Sequence, residues 1–178
     1  MEQAADPWSV PVARDDIPET GLHLEIEADP ETRAAVAALA DVREIPALSA
    51  RFDLVRAGAG VRVTGRVQAR VGQTCVVTLD PIENTIDEPV EIEFVPGAEA
   101  AEAGHVVEAA DAGDEPPEPL INGQVDLGAL ATEFLLLAID PYPRKPGAEF
   151  ASPQRSEPEE HPFAGLEALK KRLGGGNN

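Results

Sequence analysis

From Val61 to Val71 the chain alternates without a break. Val61, Val63, Gly65, Val67, Ala69 and Val71 take one set of positions, and Arg62, Thr64, Arg66, Gln68 and Arg70 the other. Successive side chains of a β-strand point to opposite faces, whereas a helix repeats about every 3.6 residues. The segment therefore reads as a strand with one buried and one solvated face. A buried face needs a second layer to cover it, so an all-helical fold and a fold without a core are both excluded.

Other segments supply the strands and the cover. Trp8 to Val12 and Leu22 to Ala28 read as strands joined by a turn over Arg14 to Gly21; in the second, Leu22, Leu24 and Ile26 alternate with His23, Glu25 and Glu27. Asp29-Pro30-Glu31 is a helix start, with Asp29 as cap and Pro30 in the first turn, for a helix reaching Ala40. Leu48 to Val55 is a strand, Ala57-Gly58-Ala59-Gly60 turns the chain, and the Val61 strand returns. Gly65 and Gly72 suggest a bulge or bend. Cys75 to Leu79 reads as a continuation of that strand. Asp80-Pro81 breaks it, and Val90 to Val95 forms another, with Val90, Ile92 and Phe94 inward. Asp126 caps a second helix to Ile139, with Leu127, Leu130, Phe134, Leu137 and Ala138 as its apolar positions. Pro162 opens a short third helix carrying Lys170, Lys171 and Arg172 in its last turn, where cations suit the helix dipole.

The expected fold is α+β: a mostly antiparallel, curved sheet or partial barrel packed with two to three helices. We expect a single domain over residues 1–173. Residues 97–119 form a mobile acidic loop, 144–160 a linker, 162–173 the terminal helix and 174–178 a disordered tail. The 178 residues suffice for one real core, since a chain near this size buries roughly 70% of its unfolded surface. With aromatics at 4%, that core must be mostly Val, Leu, Ile and Ala.

Charge limits the partners. The chain has 14 basic and 33 acidic residues, a net charge of −19, which repels phosphates and attracts basic proteins. Any nucleic-acid contact needs a local exception. The Arg43 to Arg70 segment is one, with Arg43, Arg51, Arg56, Arg62, Arg66 and Arg70 against Glu44 and Asp53. The opening MEQAADPWSV lacks the basic and apolar regions of a secretory signal, and the apolar run Phe134 to Ile139 is too short to span a bilayer. We expect a cytoplasmic protein with no membrane partner. A lone cysteine, Cys75, can form no internal disulfide and no multi-cysteine zinc site.

Three segments carry a family resemblance. They are Gln73-Thr-Cys75-Val-Val-Thr-Leu-Asp-Pro81, then Gly123-Gln-Val-Asp126-Leu127 running into Leu135-Leu-Leu-Ala-Ile139, then His161-Pro162-Phe163-Ala164-Gly-Leu166 with Leu169-Lys170. Together they resemble the YceD family of large ribosomal RNA subunit accumulation proteins, with Gln73, Cys75, Pro81, Pro162 and Phe163 as motif positions. The resemblance implies a non-enzymatic factor in 23S ribosomal RNA accumulation or processing and large-subunit assembly. Its partner is then large-subunit ribosomal RNA or a pre-ribosomal particle, or alternatively a basic ribosomal protein bound without touching RNA. Many relatives carry a Cys-x-x-Cys pair at Cys75; this chain has Thr78 at the second position, so no metal and no cofactor is expected.

Two readings of the arginine row stay open. Arg62, Arg66 and Arg70 leave one face about 13 Å apart, a spacing that can follow a phosphate backbone. Alternatively they pair with Glu83, Glu88, Glu91 and Glu93 across the sheet. No aromatic residue interleaves them, which excludes a base-stacking platform. Lys170, Lys171 and Arg172 are further candidates for phosphate or partner contact. Cys75 reads as a packing cysteine on the apolar face with Val77 and Leu79. The acidic loop reads as a solvated linker, as a docking strip for a basic protein, or as a cover over the arginines. No Ser-His-Asp set or phosphate-binding glycine loop can be assembled, so no catalytic residue is assigned.

Overall fold

The computed structural model describes residues 6–97 and 117–150, together with Leu166. The chain divides into two compact units, Met1–Ala148 and Glu149–Asn178. The acidic stretch 98–116 and the expected terminal helix around Pro162 lie outside the described residues.

Among its described residues the first unit contains seven strands and two helices. In chain order they are β1 (Pro11–Ala13), a 3-10 turn (Arg14–Asp16), β2 (Leu22–Glu27), α1 (Pro30–Leu39), β3 (Glu44–Ala57), β4 (Gly60–Thr74), β5 (Pro81–Pro96), β6 (Glu118–Leu120), β7 (Gln124–Asp126) and α2 (Leu127–Ala138). Five strands form a sheet in the order β2-β3-β4-β5-β6; β1 and β7 form a separate antiparallel pair. All pairs in the large sheet are antiparallel except β5 with β6, which is parallel. The order is linear, and among the described residues no strand closes it into a barrel.

The alternation in β4 organises the interior. Val61, Val63, Val67, Ala69 and Val71 are buried beside Leu48, Ala50, Phe52 and Leu54 of β3 and Ile86 and Val90 of β5. Full burial of a Val or Leu side chain contributes about 1.5–3 kcal/mol, so this layer supplies much of the driving force. Val36 and Ala37 of α1 and Leu127, Leu130, Ala131 and Leu135 of α2 belong to the same core. Leu137, expected in that stripe, is 77% exposed. It lies in the last turn of α2, only about 20° round from the buried Leu130 at the edge of an arc that also holds Ala131 and Leu135.

Local capping sets both helix starts. Asp29 accepts the Thr32 N–H at 2.8 Å, which holds its carboxyl below the usual range. Asp126 does more: one carboxylate oxygen accepts the N–H groups of Gly128 and Ala129 at 3.0 and 3.1 Å and also that of Val10 at 2.8 Å. The other accepts the Ser9 hydroxyl. One side chain thus caps α2 and ties down the start of β1.

Several sequence expectations need correction. β5 begins at Pro81 and pairs with β4 in one unbroken register from Thr74↔Pro81 to Val61↔Phe94, far beyond the expected Val90 to Val95. Neither Gly65 nor Gly72 bulges β4; the register shift lies on β3, between Glu44 and Ala47. Gly65 serves close approach instead. A Cβ there would fall 2.1 Å from the Arg51 carbonyl oxygen and 2.8 Å from Phe52 Cδ1. Cys75 to Leu79 is not strand: β4 ends at Thr74, and the chain turns with Leu79 at a φ of 62°. Glu118 and Pro119, expected in the acidic loop, are in β6.

The close approach at Gly65 yields a prediction. Gly65→Ala should destabilise the fold by about 1–3 kcal/mol through overpacking, seen as a lower urea midpoint. An unchanged midpoint would show that β3 can retreat without cost.

Candidate functional site

The outward face of the sheet carries the arginine row. Register places Arg62 beside Glu93, Arg66 beside Arg51, and Arg70 opposite Thr85. Each row arginine is ion-paired to an acid of β5: Arg62 to Glu93 at 3.4 Å, Arg66 Nε to Asp87 at 2.8 Å, and Arg70 to Glu83 at 3.8 Å. The Arg66 hydrogen bond holds the Asp87 carboxyl below its usual range. Asp87 takes the place expected of Glu88, which sits opposite Val67 and so on the inner face. The pairs stay near half exposed, and such surface pairs contribute only about 0–1 kcal/mol each.

The register also allows the whole face to be assessed. Besides Arg51, Arg62, Arg66 and Arg70 it carries Glu25 and Glu27 of β2, Glu44 and Asp53 of β3, and Glu83, Asp87, Glu91 and Glu93 of β5. Eight carboxylates face four guanidiniums, so the surface holding the arginines is negative as a whole.

The second arrangement lies where β4 ends. Gln73 is buried; its amide NH₂ donates to the Asp140 carbonyl at 2.8 Å, and its oxygen accepts from Asn84 at 2.7 Å. Val76 N–H donates to the Pro143 carbonyl at 2.9 Å. The Cys75 thiol, fully buried, accepts the N–H groups of Thr78 at 3.4 Å and Lys145 at 3.3 Å. The Lys145 ammonium pairs with Asp80 at 3.0 Å, which lowers the Asp80 pKa. The segment Asp140–Lys145 after α2 is therefore fastened to the Gln73–Asp80 turn, although its Arg144–Lys145 end was expected to be linker. A cleft of about 380 Å³ adjoins this fastening, lined by Ala40–Arg43, Gln73, Thr74, Val76, Ile139–Pro141 and Pro143.

The chemistry of Cys75 follows from its donors. The Lys145 N–H, then the Thr78 and Val77 groups, stabilise the thiolate and lower the pKa from 9.0 to about 6. Burial opposes that lowering and removes the sulfur from solvent, and the sulfur acts as a hydrogen-bond acceptor that joins two distant segments. Among the described residues no group of three or more His, Cys, Asp or Glu side chains could hold a metal ion.

The motif residues Gln73, Cys75 and Pro81 come together here, and Arg62, Arg66 and Arg70 lie on the neighbouring sheet face. Pro162, Phe163, Lys170, Lys171 and Arg172 lie outside the described residues. Sequence reading missed Asp87, Asn84, Asp140, Pro143 and Lys145. The period-two pattern could have found Asp87; no local signal marks the others, whose partners lie far along the chain.

Folding lowers the Cys75 pKa, so the folded state favours the thiolate. That stabilisation is full above about pH 9 and is lost as pH falls through about 6. Cys75→Ser does not titrate in this window. The gap in urea midpoint between wild type and Cys75→Ser should therefore widen from pH 6 to pH 9 under reducing conditions. A constant gap would mean the thiol stays protonated.

No curated protein and no solved structure matches the chain. Residues 63–170 match a protein family described as large ribosomal RNA subunit accumulation protein YceD. The match takes in β4 from Val63, all of β5, α2 and the Gln73–Asp80 turn with its Asp140–Lys145 fastening. That description gives the chain a ribosome-related role. Covering more than half of the sequence, the match shows that the chain belongs to the YceD family.

Proposed function

We propose that this protein is a non-enzymatic cytoplasmic factor that supports accumulation of 23S ribosomal RNA during large-subunit assembly. It does so by holding a basic ribosomal protein or a basic surface of a pre-ribosomal particle. The observation that carries this reading is the pairing of Arg62, Arg66 and Arg70 with Glu93, Asp87 and Glu83 on a face where carboxylates outnumber arginines. A phosphate approaching that row must displace a carboxylate from Arg62, Arg66 and Arg70 and meet the surrounding negative field. A cationic partner meets the opposite balance, and the net charge of −19 speeds its approach.

The half-exposure of the ion pairs favours a second reading. Exposed pairs are weak enough to exchange, so Arg62, Arg66 and Arg70 could release their acids and contact ribosomal RNA directly, with Lys170, Lys171 and Arg172 adding further cations.

Capture from cells with ultraviolet crosslinking separates the two. Wild type is compared with Glu83→Lys/Asp87→Lys/Glu93→Lys and with Arg62→Glu/Arg66→Glu/Arg70→Glu. Under the first reading the acid-reversed variant loses a basic ribosomal protein by roughly tenfold, the arginine-reversed variant keeps it, and capture weakens with salt. Large-subunit RNA crosslinked to wild type and lost only with the arginines would establish the second.

A further inference from the structure

The acids of the sheet face fall into two groups. Glu83, Asp87 and Glu93 on β5 are paired with arginines. Glu25 and Glu27 on β2 are exposed, and among the described residues neither is in an ion pair. Among the described residues β2 is also an edge strand, hydrogen-bonded only to β3.

The register shows which backbone groups that edge presents. The Ala28 N–H donates to the Leu48 carbonyl at 3.0 Å, continuing the ladder that runs from Leu22↔Leu54 to Glu27↔Ser49. Hydrogen-bonded and non-hydrogen-bonded pairs alternate in an antiparallel ladder. Leu22, Leu24 and Ile26 therefore turn their N–H and C=O groups to β3, and His23, Glu25 and Glu27 turn theirs outward. On the inner face Leu22, Leu24 and Ile26 are only half-buried against the core. Among the described residues the edge thus offers unpaired backbone groups, an apolar rim on one side and two exposed carboxylates on the other, Glu27 opposite Ser49 and Glu25 opposite Arg51 without an ion pair to it.

Building on the protein-binding reading above, we propose that the β2 edge takes an extended basic segment of the partner as an added β-strand. Its backbone pairs with His23, Glu25 and Glu27. Its outward cations meet the two glutamates, and its inward apolar residues cover Leu22, Leu24 and Ile26. Alternating basic and apolar side chains fit both faces at once. A second copy of this chain fits poorly, because two-fold pairing centred on Glu25 sets Glu25 against its own counterpart. RNA has neither the strand backbone nor the charge.

The test uses the full chain and a short synthetic peptide alternating lysine and valine, with an aspartate–valine peptide beside it. Binding is followed by fluorescence anisotropy and location by amide hydrogen exchange. The lysine peptide should bind saturably and slow exchange at His23, Glu25 and Glu27. Glu25→Lys/Glu27→Lys should weaken binding by about tenfold or more. Glu25→Pro removes an outward N–H that no contact among the described residues uses, so it should abolish binding beyond the loss seen in Glu25→Gln. If that variant does not fold, exchange in wild type still locates the strand. No binding, equal binding of the aspartate peptide, protection elsewhere, or a β2-linked dimer in sedimentation without peptide would each overturn the proposal. These outcomes are separate from the β5 acid reversal, which tests the protein-binding reading without altering β2.

Discussion

The fold depends on β4 being paired along nearly its whole length on both sides while only one of its faces is dry. With β3 and β5 hydrogen-bonded to it, the strand can neither slip nor turn over without moving five buried side chains, Val61, Val63, Val67, Ala69 and Val71, into water. That constraint places Arg62, Arg66 and Arg70 on the opposite face. The matching register of β5 then delivers Glu93, Asp87 and Glu83 to them. The packing of the core and the neutralisation of the arginines are two consequences of one ladder.

The far end of β4 is closed by a different chemistry. Gln73 pairs with Ile82 near the end of the ladder and Cys75 lies just beyond it, and their side-chain polar atoms take backbone groups from Asp140 and Lys145 after α2. A buried amide and a buried thiol left without such partners would be costly. The family motif around Gln73 and Cys75 therefore makes sense as a fastening between the sheet and the segment after α2. The thiol fits this role well because sulfur accepts hydrogen bonds at longer range than oxygen, here 3.3 and 3.4 Å.

Electrostatics divides the sheet face into a side whose acids are ion-paired to arginines and a side whose acids, among the described residues, are not. Along β5 the arginines answer the carboxylates, and the strand is already covered by its neighbours. Along β2 Glu25 faces Arg51 without an ion pair, Glu27 faces Ser49, and among the described residues the backbone edge is open. Acidic residues at an edge discourage pairing with copies of the same chain while leaving the edge open to a cation-bearing strand.

The sequence by itself determined what repeats locally. The alternation at Val61–Val71 and Leu22–Glu27, the Asp29-Pro30 helix start, the Asp126 cap and the excess of acids were all legible, because each is a relation between near neighbours. Tertiary structure decided the rest. That Asp87 answers Arg66 follows from the β4–β5 register, which a strand's own pattern does not reveal. The Cys75 turn looked like strand because its apolar residues alternate. It turns because bonds from Thr78 and Lys145, with the Val76–Pro143 bond, reward leaving the ladder. Two of these come from residues far along the chain. Local spacing encodes which face a side chain takes; only the folded chain decides what waits for it there.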